Sequence, residues 1–125
     1  KLMGIRLAIS QLITQQQLQE ASCKYIDLLE LDAAQVLPRD QQLDISNQLA
    51  RDGRHLMAAQ AYELFLHAFP KDHDRDQVEL MLGLLCVRYL DRKQRGRELL
   101  TAALKNLRDQ AHIDLARTAL AQIDA

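Results

Sequence analysis

A pattern recurs along this chain about once every forty residues. A small residue is followed four positions later by a bulky one and then by an aliphatic stretch. It reads Ala21, Tyr25, Leu28-Leu29; then Ala58, Tyr62, Phe65-Leu66; then Gly96, Leu100, Ala103-Leu104. From Ala21 to Ala58 is 37 residues, and from Ala58 to Gly96 is 38. A fixed period of this size is the signature of a helical-repeat array, in which each repeat buries its apolar face against its neighbour. Close approach of two helices requires a small side chain, and the bulky residue one turn later fills the space beside it.

Composition agrees with an all-α fold. Aromatic residues make up 4% of the 125 positions and tryptophan is missing, so the core must be built mainly from Leu, Ala, Ile and Val. Leu and Ala are strong helix formers, and the chain carries four Gly and two Pro. A formal net charge of −1 gives no global basic footprint, which makes nucleic acid an unlikely partner. Cys23 and Cys86 fall in apolar helical patterns without paired spacing and read as buried thiols, so nothing calls for an oxidising compartment. The longest apolar stretch, Val78 to Leu90, holds Glu79 and Arg88 and is too short for a membrane span. The chain begins with Lys1 and reads as a piece of a longer protein. A cytoplasmic location, or the soluble face of a membrane-associated protein, is expected.

Apolar spacing and capping residues predict seven helices. The first spans Gly4 to Ile13. Thr14 and Gln17 then fit a capping box for a second helix that carries Leu18, Ala21, Tyr25, Leu28 and Leu29 and ends near Val36, ahead of Pro38. The third starts near Asp40 and stops at Asp52-Gly53, where Gly53 suits a left-handed C-cap. The fourth covers Leu56 to Ala68. The fifth begins after Asp74 or Asp76 and ends near Leu90, the sixth spans Gln94 to Leu107, and Asp109 caps the seventh.

At Ala58-Ala59-Gln60-Ala61-Tyr62-Glu63-Leu64-Phe65-Leu66…Phe69-Pro70 the chain resembles the tetratricopeptide repeat family. The first repeat is similar at Ala21, Tyr25 and Leu28-Leu29. The third is similar at Leu82-Gly83 and Gly96…Leu100. The resemblance implies a right-handed superhelical array of antiparallel helix pairs in one domain over residues 1–125. The repeats would span about 4–37, 40–71 and 75–107, with a capping helix at about 109–124. It also implies a concave groove lined by the first helix of each pair. Matching register places Arg6, Ser10, Leu43, Asn47, Arg51, Leu84 and Arg88 there. Such a groove would take a protein or peptide segment, with the arginines forking acidic groups and Asn47 bonding backbone. The carboxylate clamp of chaperone-binding members does not carry over, because Ser10, Asp44, Gln77 and Met81 stand where further polar and basic residues belong. The alternative is a structural, oligomerisation or regulatory domain of a larger, membrane-bound protein, in which the first or last helix meets a second copy.

No catalytic, cofactor or metal site is expected. Asp72-His73-Asp74-Arg75-Asp76 opens like a calcium loop, but Gln77 replaces the turn glycine and Gly83 the bidentate acid. His55, His67, His73 and His112 lack helical metal spacing. Phosphate-loop, dinucleotide and nucleophile-elbow motifs are missing. One basic cluster, Arg88…Arg92-Lys93…Arg95…Arg97, lies at the turn between the fifth and sixth helices. Cations at a helix C-terminus are favourable in themselves, so this reads first as a solvated turn and second as a contact for acidic lipid headgroups or nucleic-acid phosphate, with no interleaved aromatics for stacking on single strands.

Overall fold

The computed structural model describes all residues 1–125. It is all-helical: α1 (Leu2–Thr14), α2 (Leu18–Leu31), α3 (Arg39–Arg51), α4 (His55–Ala68), α5 (Arg75–Arg88), α6 (Lys93–Leu104) and α7 (Gln110–Asp124). No helix is long and apolar enough to cross a membrane. The chain divides into two compact units, Lys1–Ala68 and Phe69–Ala125.

In the first unit α1–α2 and α3–α4 form two helical hairpins. Ala21, Tyr25, Leu28, Ile45, Leu49, Ala58, Ala61, Tyr62 and Phe65 are wholly buried. Removing each large apolar side chain from water stabilises the fold by about 1.5–3 kcal/mol. The two tyrosines bring polar hydroxyls inside, and each finds a partner. Tyr25 Oη donates to the Gln35 carbonyl at 3.1 Å and accepts from Gln42 Nε2 at 2.9 Å. Tyr62 Oη donates to Asn47 Oδ1. Gln42, fully buried, also accepts from the Leu37 amide at 2.9 Å and donates to the Ala61 carbonyl at 2.9 Å. One side chain thus ties α2, the α2–α3 connection, α3 and α4 together.

The second unit packs without that network. Leu80, Leu84, Leu100, Ala103, Leu107, Ala116 and Ala119 form one apolar cluster shared by α5, α6 and α7. Glycines replace the Ala–Tyr device. A Cβ on Gly83 would lie 2.8 Å from Leu100 Cγ and Cδ2, and one on Gly96 would lie 2.6 Å from Val87 Cγ2. At its far end, Arg97 and Asp124 pair at 2.7 Å and join α6 to the last turn of α7. Asp109 caps α7 as expected, accepting from the Ala111 and His112 amides.

All three hairpins turn on one left-handed residue: Gln16 (φ 60°), Gly53 (φ 76°) and Asp91 (φ 52°). From Gln16 to Gly53 is 37 residues and from Gly53 to Asp91 is 38, the period of the small residues. At the first turn the Gln17 amide reaches the Leu12 carbonyl and the Gln16 amide the Ile13 carbonyl. At the second, Arg54 and Gly53 do the same to Leu49 and Ala50. Both are Schellman closures.

Three expectations are corrected. Thr14 lies inside α1, so its hydroxyl donates back to the Ser10 carbonyl, and the expected capping box with Gln17 does not form. α2 stops at Leu31 rather than near Val36, because Asp32 turns extended and its carboxylate accepts from the Ala34 amide and Gln35 Nε2. Cys86 is buried as expected, but Cys23 is exposed, on the outer side of α2.

Candidate functional site

The first unit carries an apolar groove of about 600 Å³ between α1 and the stretch from Gln35 to Gln41. Leu2, Met3, Leu7, Leu37 and Pro38 supply its apolar walls, and Arg6, Ser10, Gln35 and Gln41 its polar groups. α1 is apolar along most of its length, yet Ile9 is its one buried residue. Met3 and Leu7, one turn apart, are 75% and 60% exposed.

Arg6 sits half-buried in this wall. Its Nη1 donates to Gln35 Oε1 at 3.0 Å and to the Val36 carbonyl at 2.8 Å. Both acceptors are neutral, and no carboxylate forms an ion pair with the guanidinium. The charge is thus oriented without being compensated, leaving its remaining N–H groups for an incoming acceptor. Gln41 Nε2 donates to Ser10 Oγ at 3.1 Å, which fixes the groove's second polar pair.

The other expected groove residues divide. Leu43 and Asn47 are half-buried on α3, and Asn47 already uses its carbonyl oxygen for Tyr62. Arg51 is exposed and donates to Gln48 Oε1 at 2.9 Å, one turn back along the helix. Burial pushes the Tyr62 hydroxyl pKa far up, against the opposing pull of Arg51. In the second unit Arg88 is exposed at the end of α5, whereas Leu84 is 8% exposed and packs into the apolar cluster, where a partner cannot reach it. Leu84 shares a face of α5 with Gln77, Met81 and Arg88, which are exposed, but it belongs to the cluster that Ala116 and Ala119 of α7 complete, and register along one helix carries no sign of that neighbour. Leu37, Pro38 and Gln41 were missed because they lie at a helix entry, where apolar spacing carries no signal.

The second unit also has a polar cavity of about 520 Å³, lined by His73, Asp76, Asn106, Arg108, Asp109 and His112 among others. At its edge, ligand atoms of Asp72, His73 and Asp74 lie within 4.8 Å of one another and could approach a cation. Asp72 Oδ2 is also the acceptor for the Asp74 amide, and His73 is largely solvent-exposed. Beside them Glu79 is 5% exposed. Burial pushes its carboxyl above the ordinary range, against the pull of Arg75, whose Nε lies 3.3 Å away.

The basic cluster spans the α5–α6 turn, as expected, and runs on into the start of α6. Only Arg88 ends a helix. Arg92 is the N-cap of α6, and Lys93 and Arg95 occupy its first turn, where the macrodipole disfavours cations. Tyr89, the aromatic residue of this turn, is 59% exposed. Compared with known proteins, the chain matches no family model and shows no significant similarity to any curated protein.

Proposed function

We propose that this protein is a non-catalytic, tetratricopeptide-like interaction module. Its first unit takes an extended or helical partner segment in the groove beside α1, with an acidic group on Arg6 and bulky apolar side chains against Leu7 and Pro38. The observation that carries this reading is Arg6, a half-buried cation held by two neutral acceptors on the wall of an apolar groove. A partner carboxylate there would gain a charge-assisted bond without the cost of ordering the arginine. The repeat reading is supported by the shared spacing of the left-handed turn residues and of Ala21, Ala58 and Gly96. Ser10, Leu43, Asn47 and Arg51 are the further contacts proposed in this unit, and Arg88 in the other.

Selection from a random peptide library displayed on phage tests it. Peptides with an acid flanked by bulky apolar residues should be enriched. Their binding should shift the Leu7, Leu37 and Gln41 amide resonances, and a folded Arg6→Glu variant should lose about tenfold or more in affinity. Enriched peptides that bind Arg6→Glu as well as wild type would remove the groove from the reading.

Met3 and Leu7 support a second reading, self-association through α1 in a larger assembly. Sedimentation that depends on concentration and is abolished by Leu7→Glu would favour it.

A further inference from the structure

The α5–α6 turn gathers charge that the fold does not use. Arg88, Arg92 and Lys93 are exposed and make neither an ion pair nor a side-chain hydrogen bond. Asp91, the acid of the turn, pairs with none of them. Arg92 and Lys93 stand at the positive end of α6, which has no acidic residue in its first turn and no side-chain cap. Intrahelical electrostatics therefore oppose their placement. The backbone beneath them is fixed. The Tyr89 and Leu90 amides both reach the Leu85 carbonyl, the Arg92 amide reaches back to Cys86 at 3.0 Å, and the Gly96 amide closes on Arg92 at 2.9 Å. Three uncompensated cations thus stand on a rigid reverse turn beside Tyr89, 59% exposed.

We infer that this turn contacts the anionic surface of a lipid bilayer, with Arg88, Arg92 and Lys93 on headgroup phosphates and Tyr89 at the headgroup level. Tyrosine favours that level because its ring is apolar and its hydroxyl polar. The extent of the patch selects a bilayer over nucleic acid. Along α6 the next cations are neutralised, Arg95 by Glu98 at 3.5 Å and Arg97 by Asp124 at 2.7 Å. The free charge is therefore a spot at one end of a hairpin, not a track that could follow a phosphate backbone. A planar surface dense in negative charge is met at such a spot. This inference does not depend on the groove beside α1; Arg88 is the one residue the two readings share, and the variants below leave it unchanged.

Co-sedimentation of the 125-residue chain with phosphatidylcholine vesicles, with and without phosphatidylserine, tests it. Wild type should pellet with the phosphatidylserine vesicles alone and be released by high salt. The Arg92→Glu/Lys93→Glu variant should lose binding by about thirtyfold or more, at about one kilocalorie per mole of attraction for each cation removed. Tyr89→Ala should weaken binding severalfold with the salt dependence kept. Both variants alter exposed side chains, and circular dichroism checks that they fold. Equal pelleting with both vesicle types, no pelleting with either, or unchanged binding by the charge-reversed variant would each overturn the inference. Binding of a labelled single-stranded oligouridine that the reversal abolishes, without vesicle binding, would reassign the turn to nucleic acid.

Discussion

The two units solve the same packing problem with different chemistry. In the first, an alanine lets two helices approach and a tyrosine one turn later fills the gap. Tyr25 and Tyr62 bring hydroxyls into the core, so the unit also needs Gln35, Gln42 and Asn47 to satisfy them. In the second, Gly83 and Gly96 let the helices approach more closely still, and Leu100 fills the gap with no polar atom to satisfy. The first solution is directional, because hydrogen bonds hold only one register. The second holds the α5–α6 contact by fit between apolar side chains, so that contact is sensitive to volume.

Gln42→Ala should separate the two most sharply. It leaves the Leu37 amide without its acceptor, removes a donor to Tyr25 Oη and opens a cavity, for about 3–4 kcal/mol of lost stability. Urea unfolding would measure the loss, and amide exchange should place the lost protection in α2–α4. A loss under 1 kcal/mol would mean the network is ornamental. Gly83→Val comes next. Its side chain would meet Leu100, itself fully buried, at a cost of about 2 kcal/mol. Combined with Leu100→Ala the two changes should be non-additive by about 1 kcal/mol, and strict additivity would show that the contact between α5 and α6 lies elsewhere.

The smallest expected effect is on pH. Burial raises the Glu79 carboxyl pKa above its ordinary 4.5. In the window above 4.5 and below the raised value, the folded chain keeps a proton that the unfolded chain has released. Stability of the second unit therefore falls as pH rises through that window. Glu79→Gln should remove this slope, read as urea midpoint against pH, and a slope that persists would place its origin at another carboxyl. Burial also raises the pKa of Tyr25 and Tyr62 in the first unit, so there the corresponding loss with rising pH begins only above about 10.

The helices were legible because their apolar spacing and punctuation are local. Gly53, Pro38, Pro70 and Asp109 act within a few residues of themselves, and the structure places a helix boundary beside each. The turns at Gln16 and Asp91 were not legible. Gln16 is held left-handed by the closure of its hairpin and carries no mark of it in its identity, and Asp91, of a type that tolerates that region, is one of many Asp residues in the chain. The candidate site was half legible. Arg6 and Ser10 could be placed by register, but the groove wall they face comes from Leu37, Pro38 and Gln41, on a separate segment. Leu84 went astray because it belongs to a cluster completed by Ala116 and Ala119 of α7, a neighbour that register along α5 cannot reveal.

By itself the sequence determined that this protein is all-α, that its small residues recur at helical-hairpin intervals, and where most helices begin and end. Each follows from backbone preference and side-chain size acting over one or two turns. Tertiary structure alone decided that Gln42 is wholly buried, that Cys23 faces outward, that Arg6 stands uncompensated in a groove, and that Arg92 and Lys93 start a helix. These depend on which segments meet in space, and burial and ion pairing are properties of that meeting.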